Sequence, residues 1–482
     1  MKLNQVFNGA PDWEFTGITC DSRKVAQGFV FAALKGTVSD GRDFIQAAID
    51  KGAIAILTDE RDGQWEVPVI KVAEPRLEFA KAAAAFYGKQ PETMVAVTGT
   101  NGKSSTVDFL RQIWTELGFE AASLGTLGAV APSGAVELGH TTPDPVAIQS
   151  TLAILANEGV THCAMEASSH GLAQYRMHGV KLAAGAFLNL SQDHLDYHKD
   201  LGDYFDAKMK LFSELLPEGS PAIINADSDM KDKVLEVAKK AKLVPFTVGW
   251  RGDHLWIDEI TPRNTGQNLR LQWETAEGDK ETIVKLPLIG EFQALNALAA
   301  AGLAMSIGAD PEAVFAAMEK LKGVKGRLEL VAETASGAGI YVDFAHTPDG
   351  LDTLLRAARP HAVGRVICVF GCGGDRDAGK RPIMGEIASK FADEVIVTDD
   401  NPRSEDPAAI RAAIMAGAPE ATEVAGRAEA IKEGIRRLKK GDVLMIAGKG
   451  HETGQTIKGV TLPFSDHEAA LSALAELKVE YK

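Results

Sequence analysis

The sequence predicts an α/β fold in three segments: a small α/β segment over residues 1–90, a central segment with a mainly parallel sheet over 91–325, and a doubly wound segment over 326–482. Two turn-forming stretches, residues 88–91 and 323–327, separate the three. Strand-like and helix-like stretches alternate on both sides of the second turn. A chain of 482 residues is also too long for one ordinary core.

Short apolar runs define the strands of each segment. In the first segment, residues 30–34 and 53–57 have the composition of buried strands, and residues 76–87 have that of a helix. The alternation of the central segment continues to about Leu321. In the last segment, helical stretches separate three β-rich runs: residues 366–370, 394–398 and 443–447. Ligands of such doubly wound sheets bind at the carboxyl ends of the strands.

Composition and charge narrow the class of protein. With 45% hydrophobic and 24% charged residues, the chain falls in the globular range. A formal net charge of −15 argues against a nucleic-acid partner, because phosphate backbones favour clustered lysine and arginine. The first residues lack a signal-peptide core, and no run approaches the roughly 18 apolar residues that a membrane span needs. The scattered cysteines favour reduced thiols in the cytoplasm: Cys20, Cys163, Cys368 and Cys372.

A glycine-rich phosphate loop lies between a predicted strand that ends at Val97 and a predicted helix that begins at Lys103. Glycines let backbone N–H groups surround phosphate oxygens, and the helix N-terminus adds partial positive charge. Lys103 is expected to reach the terminal phosphates of ATP, and the Ser104 hydroxyl to bind Mg²⁺. Val97 occupies the place of the first glycine in the usual Walker pattern. The residues expected to bind ATP here are Gly99, Thr100, Asn101, Gly102, Lys103, Ser104 and Ser105.

The loop alone is compatible with a ligase, a switch protein or a transporter ATPase. The polar clusters around it are needed to distinguish these three classes of protein. Glu166 ends an apolar stretch and is predicted to stand at a strand terminus facing the phosphate site, where a carboxylate can bind Mg²⁺. Residues 189–198 are dense in aspartate and histidine. There we favour a second Mg²⁺ bound by His194. The alternative is a zinc site formed by Asp193, His194, Asp196 and His198.

A series of short motifs runs along the chain in a fixed order. They stand at residues 21–23, 40–41, 98–105, 141–143, 166–171, 176, 193–198, 207–208, 326–329, 343–348, 371–377, 400–403 and 448–452. In this order they resemble the Mur ligases, the ATP-dependent amino-acid ligases of peptidoglycan precursor synthesis. The resemblance covers essentially the whole chain. It implies that the three segments are domains: one that binds a UDP-sugar, a central ATPase, and a Rossmann-like one that binds the amino acid.

The resemblance also implies which residues bind the ligands. It places the uridine end of the substrate UDP-MurNAc-L-Ala-D-Glu near Ser22. It places the muramoyl-peptide part near four residues: Thr141, Thr142, Ser169 and Arg176. Asn296 lies in the family's motif for adenine, and Arg327 is expected to bind ATP as well. Gln293 departs from the family, which often has asparagine at that position.

Lys208 acquires a role only from the resemblance. By spacing alone it would be an ordinary exposed lysine on a helix. The resemblance implies that Lys208 is carbamylated (N6-carboxylysine). The new carboxylate would then help to hold Mg²⁺, together with Ser104, Glu166 and His194.

The implied reaction joins a carboxylate and an amine in an amide, driven by ATP. Transfer of the γ-phosphoryl group to the carboxylate gives an acyl phosphate, which the amine then attacks. In such reactions positioning and charge neutralisation dominate. We expect five catalytic residues: Lys103, Glu166, His194, Lys208 and His346. His346 would spread developing negative charge; the alternative is a histidine satisfied within the core.

The incoming amino acid is expected to be meso-diaminopimelate, with L-lysine as the alternative. The distal carboxylate of diaminopimelate needs a cation, and the Arg403 guanidinium offers bidentate binding. The resemblance implies that lysine-adding members of the family lack the arginine that corresponds to Arg403. The alternative is that Arg403 is only an exposed charge on a surface turn. Arg376 would bind the other carboxylate, and Glu452 the distal ammonium. The full set expected to bind the amino acid is Arg376, Asp400, Asn401, Pro402, Arg403, Gly448 and Glu452.

Two other classes of protein compete with the ligase. A switch or transporter NTPase would not need the long α/β segment at 327–482. A dinucleotide oxidoreductase is suggested by the glycine cluster at 370–374, but no acidic residue about 20 positions further clearly ends a second strand. We therefore expect a monomeric cytoplasmic ligase that uses ATP and Mg²⁺.

Overall fold

The computed structural model describes residues 1–36, 39–59, 63–191, 193 and 197–481. The chain divides into two compact units. Unit 1 consists of Met1–Gly252 with Ala299–Pro311, and unit 2 of Asp253–Leu298 with Glu312–Lys482. Among the described residues, no helix combines the length and apolar character needed to cross a lipid bilayer.

Unit 1 begins with a small sheet of four parallel strands in the order β1-β2-β3-β4. Its elements are β1 (Gly17–Thr19), β2 (Phe29–Ala32), α1 (Ile45–Asp50), β3 (Ala53–Thr58), β4 (Val69–Lys71) and α2 (Pro75–Tyr87), with 3₁₀ turns at Leu3–Gln5 and Gly41–Phe44. The predicted strands and helix of this segment are confirmed to within two residues at each end. Proline at the first position of α2 and a left-handed Gly88 after its last residue explain where that helix begins and ends.

The second sheet of unit 1 has the order β12-β11-β10-β5-β9-β6-β7-β8. Its elements are β5 (Thr93–Thr98), α3 (Lys103–Glu116), β6 (Ala121–Gly125), β7 (Gly128–Ala131), β8 (Gly134–Val136), α4 (Pro145–Asn157), β9 (His162–Glu166), α5 (Ser169–Ala173), β10 (Leu182–Phe187), α6 (Leu201–Lys210), a π-helical turn (Leu211–Leu215), β11 (Pro221–Asn225), α7 (Lys231–Lys240) and β12 (Val244–Gly249). The strands from β12 to β6 are parallel, and β6, β7 and β8 form an antiparallel meander.

Strand β5 lies at the centre of the parallel part, between β9 and β10. Its side chains from Met94 to Thr98 are buried, as expected of a strand covered on both faces. The register pairs Val97 with Glu166 of β9 and Thr98 with Phe187 of β10. The carboxyl ends of these three strands therefore meet at one edge of the sheet, where ligands of parallel sheets bind.

Unit 2 opens with three antiparallel strands: β13 (Leu255–Arg263), β14 (Gly266–Trp273) and β15 (Lys280–Leu286). Two helices follow, α8 (Glu291–Ser306) and α9 (Pro311–Met318), and contribute residues to both units. The predicted alternation of strands and helices up to about residue 321 is wrong in this region. Leu269, Leu271 and Trp273 on one face of β14 are buried while the residues between them are less so, which is the two-residue period of an antiparallel strand with one covered face.

The doubly wound part of unit 2 has the strand order β16-β17-β21-β18-β19-β20, with β16 antiparallel to the rest. Its elements are β16 (Glu329–Glu333), β17 (Gly339–Asp343), α10 (Pro348–Ala358), a 3₁₀ turn (Arg359–His361), β18 (Val366–Phe370), α11 (Lys380–Phe391), β19 (Glu394–Val397), α12 (Pro407–Met415), β20 (Thr422–Glu423), α13 (Arg427–Arg437), β21 (Val443–Ala447), the hairpin β22 (Gly454–Ile457) and β23 (Val460–Pro463), and α14 (Asp466–Glu476). All three strands predicted for this segment are confirmed.

A fully buried ion pair joins three elements of this part. Nε and Nη2 of Arg427, on α13, each donate to an oxygen of Asp466, on α14, at 2.7 Å. Nη2 also donates to the carbonyl of Ala447, the last residue of β21, at 3.0 Å. Both side chains are 0% exposed. The bidentate geometry satisfies a charge that would otherwise strongly destabilise the core.

Candidate active site

The phosphate loop follows β5 and leads directly into α3, as predicted. Gly102 immediately precedes the helix with φ +86°, a left-handed conformation that glycine adopts without strain. Nζ of Lys103 donates to the carbonyl oxygens of Gly99 and Thr100, each at 2.8 Å. The Lys103 ammonium therefore lies over the loop whose backbone would surround phosphate.

Glu166 ends β9 beside the phosphate loop and is almost fully buried. Its Oε1 accepts from the Ser104 hydroxyl and from the backbone N–H of Thr126, both at 2.8 Å. The Thr126 hydroxyl donates to Oε2 at 3.3 Å. A Cβ atom on Gly125 would stand 2.0 Å from Oε1, so glycine at that position leaves room for the carboxylate.

The oxygen donors of Ser104 and Glu166 fit a magnesium ion, because Mg²⁺ prefers hard oxygen ligands. Their contact brings together two of the four predicted metal ligands. Lys208 does not fit as an amine, since it carries no oxygen. It would fit as a carbamate.

Lys208 is 1% exposed, so the interpretation from spacing alone, an exposed helix lysine, is wrong. Nζ donates to the Gly99 carbonyl at 2.8 Å and lies 4.3 Å from the centroid of the Tyr204 ring. Burial, and next the positive charge of Lys103, lower the pKa of Lys208 to about 6, although Asp193 opposes the shift. The side chain is therefore mostly an uncharged amine at neutral pH.

The segment after β10 supports the other side of the phosphate loop. Asn189 pairs with Asn101 through two hydrogen bonds: its Oδ1 accepts from the backbone N–H at 2.9 Å, and its Nδ2 donates to the carbonyl at 3.1 Å. The N–H of Thr100 donates to the Asn189 carbonyl at 3.0 Å. The Thr100 hydroxyl lies 3.3 Å from that of Tyr204. The loop is thus held from both neighbouring strands.

The aspartate- and histidine-rich stretch is described only in part. His194, predicted to be catalytic and to bind metal, and Asp196, from the zinc alternative, lie outside the described residues. Asp193 is exposed, and His198 is buried with Nδ1 3.2 Å from Oδ2 of Asp203. Within the described residues, no group of three or more histidine, cysteine, aspartate or glutamate side chains is arranged to hold a metal ion.

The residues predicted for the muramoyl-peptide surround the backbone at the end of β9. The Thr142 hydroxyl donates to the Glu166 carbonyl at 2.9 Å, and Nη1 of Arg176 donates to the Thr142 carbonyl at 2.7 Å. Thr141 contacts Thr126 through their hydroxyls at 3.0 Å. Within the described chain, the buried Ser169 hydroxyl has no hydrogen-bond partner. An arginine and several hydroxyl groups thus converge next to Glu166.

A second cation lies near Arg176. Burial, and next the positive charge of Arg76, lower the pKa of Arg176. Arg76 is in the first turn of α2 and donates from Nη2 to the Lys35 carbonyl at 2.6 Å. Ser22, predicted for the uridine end, follows β1, and its carbonyl accepts from Nζ of Lys51 at 3.0 Å. The positive charge of Arg76 thus acts on Arg176, although Asp144 opposes its effect on the pKa, and such a pair of cations favours an anionic ligand.

Unit 2 contains a cleft of about 750 Å³ at the carboxyl edge of its parallel strands. Six of the seven residues predicted to bind the amino acid line it: Arg376, Asp400, Asn401, Arg403, Gly448 and Glu452. Pro402 does not, and its carbonyl accepts from the N–H of Glu405. His346 also lines the cleft and is exposed, so the alternative of a histidine satisfied within the core is wrong.

Arg403 is held in an unusual backbone conformation, with φ +50°. Strand β22 fixes it there: its N–H donates to the Thr456 carbonyl at 3.0 Å, and its own carbonyl accepts from the N–H of Lys458 at 2.6 Å. Nη1 donates to the Gly374 carbonyl at 2.7 Å. A left-handed non-glycine residue that the surrounding structure constrains so closely is characteristic of functional sites.

A buried lysine orients the acidic side of the cleft. Lys449 is 0% exposed and donates from Nζ to Oε2 of Glu452 at 2.8 Å and to Oδ1 of Asn401 at 3.1 Å. Nδ2 of Asn401 donates to the same Glu452 oxygen at 2.9 Å. Burial raises the pKa of Glu452, but the hydrogen bonds from Lys449 and Asn401 outweigh it and lower the pKa overall. Glu452 is therefore a stable carboxylate.

Asn296 and Arg327, both predicted to bind ATP, are linked through Gln293. Nδ2 of Asn296 donates to Oε1 of Gln293 at 3.1 Å, and Nε2 of Gln293 donates to the Arg327 carbonyl at 3.2 Å. The Arg327 guanidinium lies 5.0 Å from the centroid of the Phe344 ring. The position that departs from the family pattern thus connects two predicted site residues.

Four residues of these sites received no role of their own in the sequence analysis: Arg76, Thr126, Asn189 and Lys449. Thr126 and Asn189 each follow a strand within two residues, so a search for polar residues at the carboxyl ends of strands would have found them. Lys449 lies in the motif at 448–452, whereas Arg76 has no comparable signal, because a single basic residue in a helix is usually solvated.

The fold and the sites define a phosphate-loop enzyme that carries a second, doubly wound α/β part with a charged cleft. Family models match as the Mur ligase family catalytic domain over residues 14–87, the Mur ligase middle domain over 97–304, and the Mur ligase glutamate ligase domain over 326–450. The chain belongs to the Mur ligase family and is an ATP-dependent amide ligase, for which ATP and Mg²⁺ are the cofactors. The switch, transporter and oxidoreductase alternatives are therefore wrong.

Relatives support the same assignment along the whole chain. A UDP-N-acetylmuramoyl-L-alanyl-D-glutamate–2,6-diaminopimelate ligase from Rhizobium meliloti (strain 1021) is 53% identical over 475 residues, which cover 98% of this chain and 97% of the relative. One of the same name from Brucella melitensis biotype 1 is 53% identical over 484 residues, with 98% of each covered. A solved structure of that name has a TM-score of 0.79 at 32% identity and covers 99% of both chains.

Proposed function

We propose that this ligase adds meso-diaminopimelate to UDP-MurNAc-L-Ala-D-Glu in peptidoglycan precursor synthesis. The observation that carries the proposal is the charged cleft of unit 2. It presents two guanidinium groups, Arg376 and Arg403, beside the carboxylate of Glu452, and three further charged residues, Asp377, Lys380 and Asp400, also line it. Diaminopimelate has two carboxylates and two amines. Each end of the molecule carries one carboxylate and one amine. The printed names of the relatives, which specify 2,6-diaminopimelate, support the same substrate.

Each group of the cleft then has a role toward the amino acid. Arg403 binds the distal carboxylate in bidentate fashion, Glu452 accepts from the distal ammonium, and Arg376 binds the other carboxylate. Asp400, Asn401 and Gly448 line the cleft around them, and Pro402 joins two cleft residues, Asn401 and Arg403. L-Lysine offers the ammonium but no anion to Arg403, so the same cleft would bind it poorly.

Other residues act on the other two substrates. The loop at 99–105 of unit 1 binds the phosphates of ATP, and Asn296 and Arg327 bind ATP as well. Ser22 binds the uridine end of the UDP-linked substrate, and its peptide part is bound by four residues: Thr141, Thr142, Ser169 and Arg176. The cluster of Arg176, Arg76 and hydroxyl groups beside Glu166 supports this role, because the substrate ends in D-glutamate carboxylates.

The reaction proceeds in two steps. A carboxylate oxygen of the substrate attacks the γ-phosphorus of ATP, the bond to the bridging oxygen breaks, and ADP leaves. The amine of diaminopimelate then attacks the acyl phosphate, loses a proton, and displaces inorganic phosphate. Lys103 neutralises charge on the transferring phosphoryl group, and His346 stabilises the developing oxyanion. Ser104, Glu166, His194 and a carbamate on Lys208 would hold Mg²⁺, which would supply further charge neutralisation.

The state of its amine supports a carbamate on Lys208. An uncharged amine adds to the carbon of CO₂ through its lone pair, and the adduct loses one proton to give a carbamate. A buried lysine with a pKa of about 6 meets the first requirement at neutral pH. Lys208→Ala should be inactive and partly rescued by small carboxylates in solution. An undisturbed rate in that variant would contradict the carbamate.

Phosphate release on UDP-MurNAc-L-Ala-D-Glu, with ATP and Mg²⁺, tests the proposed function. With meso-diaminopimelate the rate should exceed that with L-lysine by about a hundredfold or more. Omission of the UDP-linked substrate should abolish release. A preference for L-lysine would contradict the assignment of the amino acid, while release without the UDP-linked substrate would contradict the acceptor. We further propose that the protein is cytoplasmic and monomeric. Light scattering can test whether it is a monomer.

A further inference from the structure

Two side-chain amides on α8 form a relay that ends on a backbone carbonyl. Gln293 and Asn296 stand three residues apart and so share one face of the helix. They are 1% and 8% exposed. The relay runs from Nδ2 of Asn296 to Oε1 of Gln293, and from Nε2 of Gln293 to the carbonyl of Arg327.

The carbonyl at the end of the relay sets the direction of every bond in it. A backbone carbonyl only accepts, so Gln293 must turn its NH₂ group toward Arg327 and its oxygen toward Asn296. Asn296 must then turn its own NH₂ group toward Gln293. Its Oδ1 faces away and, within the described residues, accepts no hydrogen bond. Asn296 is thereby held in one of its two amide orientations.

We propose that Gln293 is a specificity-determining positioning residue for the nucleotide base: it holds Asn296 so that Oδ1 accepts from a 6-aminopurine and repels a 6-oxopurine. The inference rests on the proposed role of Asn296 in binding ATP. Asparagine pairs with adenine by accepting from the 6-amino group and donating to N7. A purine with oxygen at position 6 places an acceptor against Oδ1. An Asn296 free to rotate could donate there instead.

The start of α8 is also anchored by contacts that do not involve Asn296. The N–H of Gly290 donates to Nε2 of His361 at 2.9 Å, and the Gly290 carbonyl accepts from Nε2 of Gln267 at 3.0 Å. Gln267 is a buried amide on β14, 0% exposed. It offers a matched control, because replacing it loosens the same helix end and leaves the relay complete.

Ligase kinetics with ATP and with inosine triphosphate test the inference, because the bases of these nucleotides differ at position 6 and in the protonation of N1. The ratio of kcat/KM for ATP to that for inosine triphosphate should fall about tenfold or more in Gln293→Leu, since both hydrogen bonds are lost. Gln293→Met, unbranched and of similar length, should give the same fall if the leucine variant folds poorly. In Gln293→Asn, which keeps an amide, the ratio should fall less. Gln267→Leu should keep the wild-type ratio.

Wild-type ratios in folded Gln293→Leu or Gln293→Met would overturn the inference, and so would an equal fall in Gln267→Leu. Asn296→Ala distinguishes an error in the role of Gln293 from an error in the proposed binding of ATP by Asn296. If that variant leaves the KM for ATP unchanged, Asn296 does not bind the nucleotide. If it raises the KM while the variants at position 293 keep the ratio, only the role of Gln293 is wrong.

Discussion

Lys103 and Lys208 donate to the same oxygen atom, the carbonyl of Gly99, each from 2.8 Å. Two ammonium groups that share one acceptor repel each other, and the pKa of the buried Lys208 is lowered first by burial and next by the positive charge of Lys103. The uncharged amine of Lys208 meets the requirement for the proposed reaction with CO₂.

Lys103→Ala should abolish ligation without unfolding the protein, because the phosphoryl group in transfer loses its nearest fixed cation. We expect a loss of roughly 10²-fold or more in kcat. Phosphate-release kinetics measure it, with Lys239→Ala, an exposed lysine on α7, as the matched control. A folded Lys103→Ala variant that turns over at a near-normal rate would show that the phosphate-loop assignment is wrong.

Lys208 should make stability depend on pH in a defined window. In bicarbonate-free buffer, the unfolded chain holds a proton on Lys208 up to its ordinary pKa of 10.5, whereas the folded chain releases it above about 6. Between these values the unfolded state binds more protons, so the free energy of unfolding rises with pH. Urea titrations measure the free energy of unfolding. The difference between the wild type and Lys208→Met should increase from pH 6 to 10 in favour of the wild type, and should show no trend below pH 6. A difference in the free energy of unfolding that stays constant from pH 6 to 10 would contradict the lowered pKa of Lys208. Lys239→Met, at an exposed lysine, is the control.

Gly125→Ala should disable catalysis by displacing Glu166. The new Cβ atom would stand 2.0 Å from Oε1, so the carboxylate must move away from Ser104. We expect kcat to fall about tenfold or more, with KM for the amino acid unchanged. Gly426→Ala is the control, because its Cβ would meet only Glu429 at an ordinary 3.7 Å. Equal activity in the two variants would argue against a catalytic Glu166.

Arg403→Ala should lose efficiency mainly with meso-diaminopimelate and narrow the gap to L-lysine. Arg403 is half-buried in the cleft, and a charge that a bound ligand covers without a partner destabilises by about 3–5 kcal/mol, where about 1.4 kcal/mol corresponds to a factor of ten. The kcat/KM values for both amino acids measure the gap, and Arg436→Ala, an exposed arginine on α13, is the control. An unchanged preference in Arg403→Ala would remove Arg403 as the reader of the distal carboxylate, while leaving the ligase assignment intact.

The sequence predicted the strands that carry the sites better than the contacts between them. Val97 and Glu166 were each expected at a strand end, yet their pairing depends on the register of β5 against β9, which no local pattern encodes. The antiparallel run from β13 to β15 was missed, since periodicity in a short apolar stretch does not reveal the direction of the neighbouring strand.

Two residues show that the environment of a charged or titratable side chain depends on distant neighbours. Lys208 has the local context of an exposed helix lysine, and only the packing of α6 against the phosphate loop buries it. His346 was left open between two environments, and the structure places it exposed on a cleft. Burial of a charged side chain is a tertiary property, so spacing along the sequence predicts it poorly.

The ion pair between Arg427 and Asp466 sets an order of events during synthesis. Arg427 leaves the ribosome before Asp466, and in the interval its guanidinium lacks the carboxylate that binds it in bidentate fashion, with Asp400 only at 3.9 Å. A nascent chain that lacks α14 would have to leave that charge in water, which keeps α13 from packing against β21. Closing the doubly wound sheet is therefore unfavourable until its last helix has emerged, and until then its apolar strands stay more exposed.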